Sequence, residues 1–122
     1  MAIFGPEILG ALRDRQEVVI RTGRHPDSAV TIWVVVSDDD VLVRSVRGAK
    51  GRWYRDLADG GPATLEFNGR QLAVEAVPAN DAASIERASQ AFLAKYRSSP
   101  YAESMVRPEV LPTTLRLEPR PA

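Results

Sequence analysis

The stretch AVTIWVVVS (Ala29–Ser37) is dense in β-branched residues and decides how the rest of the chain is read. Its alternate positions form two sets: Val30, Ile32, Val34 and Val36, and Thr31, Trp33 and Val35. Both sets are largely apolar. A strand with one wet face alternates apolar with polar residues, so this one reads as a strand covered on both sides.

Its neighbours are strands too. EVVIRTG (Glu17–Gly23) precedes it across the turn RHPDS (Arg24–Ser28). The acidic turn Asp38–Asp40 leads to VLVRSV (Val41–Val46), the expected hairpin partner. Further on, Ala63–Asn68 and Arg70–Val77 flank Gly69, and Asn68-Gly69 is a strong hairpin signal. TTLRLEP (Thr113–Pro119) alternates again and reads as the last strand.

Helical spacing marks three segments. Pro6 opens a helix within an N-terminal segment, residues 1–16. Lys50–Ala58 forms a short helix with Trp53, Tyr54, Leu57 and Ala58 on one face. Asp81 is an N-cap candidate for a helix running to about Arg97. Tyr101–Pro112 reads as a loop with a helical turn, and residues 120–122 as a frayed tail. The expected fold is a single α+β domain, 1–122, predominantly β with helices: a six-stranded antiparallel barrel that closes its own edges. Its outer face at Ala29–Ser37 needs a cover. The long helix could supply it, but a chain with few helices points to a homodimer across that face.

Composition narrows the function. The formal net charge is zero, which argues against a general nucleic-acid or membrane-surface binder. There is no cysteine, so disulfides, thiolate catalysis and zinc–cysteine sites are excluded, and His25 is the only histidine. The N-terminal residues lack the pattern of a signal peptide, and no window is long and apolar enough to span a bilayer. The expected location is cytoplasmic.

Against that neutral background, RSVRGAKGRWYRD (Arg44–Asp56) concentrates Arg44, Arg47, Lys50, Arg52 and Arg55, with no acid before Asp56. Gly48 and Gly51 let the backbone come close to a ligand, and Arg47 and Lys50 can add charge-assisted hydrogen bonds to a phosphate. A helix starting at Lys50 would turn its free N–H groups toward the same anion. Arg44, Arg47 and Lys50 are therefore the expected anion site. Arg52 and Arg55 read as a solvated face, paired with acids such as Asp38, Asp39, Asp40 and Asp56. No Walker loop or dinucleotide fingerprint is present. His25, in a turn, could act as an acid or base, but reads more simply as an exposed loop histidine. Glu66 and Glu75 read as a solvent face rather than a carboxylate pair.

These features together resemble the pyridoxamine-phosphate-oxidase-like split β-barrels. The resemblance rests on RTGR before a long apolar strand, TIWVVVSDDDVLVRSVRG, GRWYRDL and TTLRLEP, and covers Glu17 to Pro119. Within that superfamily the chain is most similar to a small bacterial family of unknown function, and also to the deazaflavin-dependent nitroreductases. The resemblance implies a flavin or deazaflavin, FMN or F420, lying along the barrel at a dimer interface. It implies that Arg44, Ser45, Arg47 and Lys50 hold the cofactor phosphate, with Gly48 allowing close approach. Thr31 and Trp33 would line the ring system. Trp53 and Tyr54 match a Trp-Tyr pair that is mainly structural in the nitroreductase branch. The loop between Val46 and Trp53 is shorter than in that branch. The C-terminal segment that binds the pyridoxal substrate has no counterpart, which argues against pyridoxamine phosphate.

The leading expectation is thus a flavin- or deazaflavin-binding redox protein, in which the cofactor carries the hydride chemistry. The alternative is a dimeric barrel that has lost the flavin and binds another phosphorylated or anionic molecule, or a protein partner. Single-stranded nucleic acid, with Trp53 and Tyr54 as stacking platforms, is disfavoured by the zero net charge.

Overall fold

In the computed structural model, residues 3–120 are described. The elements are α1 (Pro6–Asp14), β1 (Glu17–Thr22), β2 (Val30–Trp33), β3 (Val35–Ser37), β4 (Asp40–Val43), α2 (Arg52–Leu57), β5 (Gly61–Phe67), β6 (Arg70–Pro78), α3 (Ala82–Lys95) and β7 (Leu115–Pro119), with short 3₁₀ turns at Gly48–Lys50, Ala102–Val106 and Leu111–Thr113.

The strands form one seven-stranded antiparallel sheet in the order β2-β1-β5-β6-β7-β4-β3. The two ends of that order, β2 and β3, are the two halves of Ala29–Ser37, separated only by Val34. The stretch leaves one edge of the sheet, bends at Val34 and becomes the other edge. The sheet therefore rolls into a nearly closed, split barrel. Seven strands replace the expected six, because one continuous-looking strand pairs with β1 before the bend and with β4 after it.

Alternation holds on every wall. Val18, Ile20, Ile32, Val34, Val43, Leu65, Val74 and Leu117 belong to one buried cluster inside the barrel. Leu9 and Leu12 of α1 and Trp53 and Leu57 of α2 join that cluster from the ends. A second cluster lies outside β3 and β4, where Val35 and Leu42 meet Ala88, Phe92 and Tyr96 of α3, with Trp33 packed against them. The two apolar faces of the opening stretch are thus explained within one chain. Its inner set fills the barrel; on its outer set α3 covers Trp33 and Val35, while Thr31 stays exposed. The need for a second subunit over that face disappears.

Local signals place the corners. Asn68 and Gly69 both take positive φ, 51° and 72°, and join paired Phe67 and Arg70 in a two-residue hairpin loop. Asp81 caps α3 by accepting from the Ser84 N–H at 3.1 Å. β4 ends at Val43, earlier than expected, because Arg44 and Ser45 turn to side-chain and loop partners. Arg120, expected to fray, donates its N–H to Ala73 O at 3.1 Å and pairs with Glu75 at 2.9 Å. Residues 121–122 of that tail, and residues 1–2 of the N-terminal segment, lie outside the described residues.

The bend at Val34 would leave a buried peptide without ladder partners, and the end of α3 supplies them. The Val34 N–H donates to the Tyr96 hydroxyl at 3.2 Å. That hydroxyl donates to Gln16 O at 2.6 Å. Lys95 Nζ donates to Val34 O at 2.7 Å and to Leu12 O at 3.0 Å, so it also satisfies a carbonyl in the last turn of α1. Burial lowers the Lys95 amine from 10.5 to about 8, with Asp14 acting the other way. Burial likewise raises the Tyr96 phenol from 10.0 to about 12.

Two outcomes follow for stability. Tyr96→Phe strands the buried Val34 N–H and lowers unfolding free energy by about 1–3 kcal/mol in a urea titration. As pH rises from about 8 to 10.5, the unfolded chain holds the Lys95 proton more tightly than the native one, so this group adds stability. From 10.0 to about 12 the native state keeps the Tyr96 proton that the unfolded chain loses, so stability falls. Lys95→Met removes the rise and Tyr96→Phe removes the fall; a pH series of unfolding curves reads both.

Candidate functional site

A cleft of about 920 Å³ opens beside β2, between the β1–β2 turn, the Val46–Asp56 stretch and the turn Tyr101–Met105. It brings together Thr31, Trp33, Arg44, Ser45, Arg47 and Lys50. Gly48 is not part of its lining.

These residues do different things. Arg44 is 1% exposed, although it sits at the back of the cleft. Its Nε donates to Thr114 Oγ1 at 2.8 Å, Nη1 to Met105 O at 2.9 Å and Nη2 to Ile85 O at 2.8 Å. It also lies over the Phe92 ring, 5.6 Å from the centroid. Burial lowers its pKa to about 10, so it stays cationic at neutral pH. All three nitrogens face protein acceptors from three separate segments, so Arg44 holds β4, α3 and the C-terminal turns together and is not free for a phosphate. Ser45 is also internal. Its Oγ donates to Gly48 O at 2.8 Å, and its N–H donates to Thr113 Oγ1 at 3.0 Å.

Gly48 is needed for the loop itself. Its φ is +65°, and a Cβ there would sit 3.1 Å from Glu109 O. The close approach is therefore to the chain's own backbone. A Cβ at Gly51 would collide with Ser45 Oγ. The expected helix at Lys50 begins instead at Arg52 and runs only to Leu57. So short a helix has little dipole to offer, and the anion argument falls to side chains.

Those side chains are distinctive. Arg47, Lys50 and Arg55 are exposed, line the cleft and form no ion pair among the described residues. Of the four acids proposed as partners, three are engaged elsewhere, and Asp39 forms no ion pair among the described residues. Asp38 and Asp40 pair with Arg87 of α3 at 3.5 and 2.6 Å. Asp56 pairs with His25. Arg52 donates to Ser28 Oγ at 2.8 Å. Glu66 and Glu75 pair with Arg21 and Arg120, as a solvent face does. On the aromatic side, Trp33 stacks on Tyr96 with centroids 3.9 Å apart and planes within 5°. Trp53 packs edge-on against Tyr54 at 6.5 Å.

His25, which the sequence leaves as a loop histidine, is held by specific partners. Its Nδ1 lies 2.6 Å from Asp56 Oδ2, and the same oxygen accepts from the Thr22 hydroxyl at 2.7 Å. The His25 N–H in turn reaches Thr22 Oγ1 at 3.2 Å. Burial pushes the Asp56 carboxyl up, but the bonds from His25 and Thr22 outweigh it and hold its pKa below the ordinary value. Thr22, His25 and Asp56 all line the cleft.

The fold agrees with comparisons to other proteins. Residues 9–117 match a family described as an uncharacterized protein conserved in bacteria, DUF2255. The chain belongs to that family. No curated protein matches the sequence. Among solved structures, the conserved hypothetical protein Rv2991 from Mycobacterium tuberculosis superposes with a TM-score of 0.66 at 14% identity, covering 98% of this chain and 83% of that one. The heme storage protein HutZ from Vibrio cholerae superposes with a TM-score of 0.60 at 13% identity, covering 100% and 93%. Both likenesses are of fold, and this chain shares with the two the split barrel of the pyridoxamine-phosphate-oxidase-like kind. No described helix is long and apolar enough to cross a membrane.

The two classes of cation separate by experiment. Arg44→Met removes the three hydrogen bonds that join the end of β4 to Ile85, Met105 and Thr114 and lowers stability by about 3 kcal/mol or more in denaturant titration. Arg47→Ala with Lys50→Ala stays within about 0.5 kcal/mol of wild type per substitution, as exposed, unpaired residues do.

Proposed function

We propose that the cleft binds a phosphorylated planar cofactor, FMN or the deazaflavin F420, and that the chain works as a cofactor-dependent oxidoreductase in a homodimer. The observation that carries this reading is the placement of Arg47, Lys50 and Arg55, all without carboxylate partners, in the same cleft as Trp33 and Trp53. Free cations suit a phosphate, and a pre-stacked indole suits a flat ring. The cleft volume lies within the usual range for small-molecule sites. Arg47 and Lys50 hold the phosphate, while Thr31 and Trp33 line the ring. When bound, the cofactor supplies the hydride chemistry, and the protein supplies binding and electrostatics. Val46 and Tyr101, 47% and 69% exposed, stand at the rim, where a second copy of the chain would cover them.

A second reading has one specific observation in its favour. HutZ is a heme storage protein, and a histidine whose Nδ1 is held by a carboxylate is the usual form of an axial ligand. Here the chain would bind heme through His25.

Titration of the purified chain with FMN, F420 and hemin separates these readings. Flavin or deazaflavin binding, weakened about tenfold by each of Arg47→Ala and Lys50→Ala, supports the first. A hemin Soret shift abolished by His25→Ala, with no flavin binding at high micromolar concentration, replaces it with the second. Light scattering of the same sample reports the dimer, and Tyr101→Glu shifts it toward monomer.

A further inference from the structure

With Arg47 and Lys50 assigned to the phosphate, the cleft still holds cations that have no role. Arg52 and Arg55 of α2 and His25 of the β1–β2 turn all line it. Arg52 and Asp56 stand about one helical turn apart on the same face of α2. Arg52 Nη2 donates to Ser28 Oγ at 2.8 Å, and Asp56 Oδ2 meets His25 Nδ1 at 2.6 Å. The β1–β2 turn is therefore laid along that face and fixed at two points. The His25 N–H holds it to the end of β1 as well, at 3.2 Å from both the carbonyl and the hydroxyl of Thr22. Turn and helix are thereby joined into one wall of the cleft.

The charge on this wall differs from that on the loop. Arg47 and Lys50 are two cations with no acid, which suits a phosphate monoester of about −1.5 to −2 near neutral pH. Arg52 and Arg55 are also two cations, but Asp56 beside them is held ionised. The balance is a single positive charge while His25 is neutral, which suits a carboxylate. Arg52 gives one N–H to a neutral hydroxyl, and Arg55 forms no ion pair among the described residues. Both forks thus keep donors that can grip a carboxylate in pairs. His25 adds a condition. The Thr22 hydroxyl donates to Asp56 Oδ2 and an ionised carboxylate only accepts, so Nδ1 carries the hydrogen of its bond. Nε2 is then a lone pair in the neutral ring and a charged donor in the protonated one, so an anion bound here draws a proton onto His25. The groups around that ring are Asp56 in contact, Arg52 and Arg55 on α2, Thr22 on β1, and Arg24 and Asp27 in its own turn; Pro62 of β5, which meets the turn at Gly23, brings no charge.

We propose that Arg52, Arg55 and His25 form a second anion subsite in this cleft, which takes the carboxylate of a small organic acid bound beside the cofactor. The proposal rests on the cofactor reading in one step, the assignment of Arg47 and Lys50 to the phosphate. Arg52 and Arg55 supply the charge. Asp56 positions the His25 ring and sets the charge of the subsite to match a monoanion. The substrate class is thus a carboxylic acid whose charged end lies at α2 and whose remainder shares the cleft with Trp33 and Trp53.

Benzoate is the probe, and benzamide is its neutral counterpart of the same shape. Calorimetry on the full chain measures both, with the chain free and loaded with FMN or F420. The expected result is benzoate binding to either form, about tenfold or more tighter than benzamide. Arg52→Ala and Arg55→Ala each weaken benzoate about tenfold and leave cofactor affinity within about twofold, whereas Arg47→Ala does the reverse. Between about pH 8 and pH 6 an imidazole gains its proton while benzoate stays ionised, so wild-type affinity for benzoate rises. His25→Gln keeps a bond to Asp56 and abolishes that rise. Benzoate no tighter than benzamide, or unmoved by both arginine variants, overturns the subsite. A pH response that survives in His25→Gln overturns the part given to His25, and benzoate displaced by the cofactor overturns the second ligand. A chain that binds neither cofactor overturns the cofactor reading alone, because benzoate binding to the free chain still decides the subsite.

Discussion

The barrel depends on what happens at one peptide, Val34. The sheet can close only if the stretch that begins as one edge strand ends as the other, so the backbone must break its ladder there. A buried N–H or C=O without a partner is costly, and no neighbouring strand can serve both halves. The end of α3 resolves this by placing Tyr96 and Lys95 against the gap. The same two residues reach Gln16 O and Leu12 O, which ties the entry into β1 and the end of α1 to the same point. Helix, sheet edge and N-terminal segment are therefore coupled through one bend. The cleft inherits this rigidity, since Tyr96 is also the surface on which Trp33 stacks.

Arg44 makes a second junction of the same kind. It reaches backbone carbonyls of Ile85 and Met105 and the hydroxyl of Thr114, from parts of the chain that share no sheet pairing with β4 except through β7. A buried cation is tolerable when every nitrogen finds an acceptor, and a planar five-donor fork suits three directions better than an ammonium does. Its position directly after β4 fixes where the basic loop begins. Arg44 thus contributes to the site by shaping it, while Arg47 and Lys50 remain available.

Much of the fold was legible because the signals were local. Asn68-Gly69, the Asp81 cap and the alternation in β5, β6 and β7 are each decided within a few residues. Two-sided apolarity at Ala29–Ser37 was legible as well, and it correctly demanded a cover. The cover was α3 of the same chain, which periodicity cannot show, because it reports that a face is buried and not by what. The break at Val34 had no sequence signature: no glycine or proline marks it, and only the strand order imposes it. Arg44 looked like its neighbours for a related reason. Two of its three acceptors are backbone carbonyls, and a carbonyl leaves no trace in the residue type. The His25–Asp56 pair is 31 residues apart, across β2, β3, β4 and the basic loop. Its one cue was that Asp56 is the sole acid in Arg44–Asp56, and that cue is suggestive only once His25 is known to lie beside it.

Charge sorting is the remaining step of the argument. A net charge of zero suggested that local positive charge would be neutralised nearby, yet the structure neutralises it selectively. Arg87 takes Asp38 and Asp40, Arg21 takes Glu66, Arg120 takes Glu75, and His25 takes Asp56. Arg47, Lys50 and Arg55 receive no acid among the described residues, and all three line one cleft. Exposed like charges repel when they have no counter-ion, and a fold without use for them would scatter them or pair them with the acids at hand. Asp56 was the nearest such acid in sequence and was assigned to the histidine instead. Giving Asp56 to the histidine leaves Arg55 without it, and the cleft keeps the uncompensated positive charge that the proposed anion site requires.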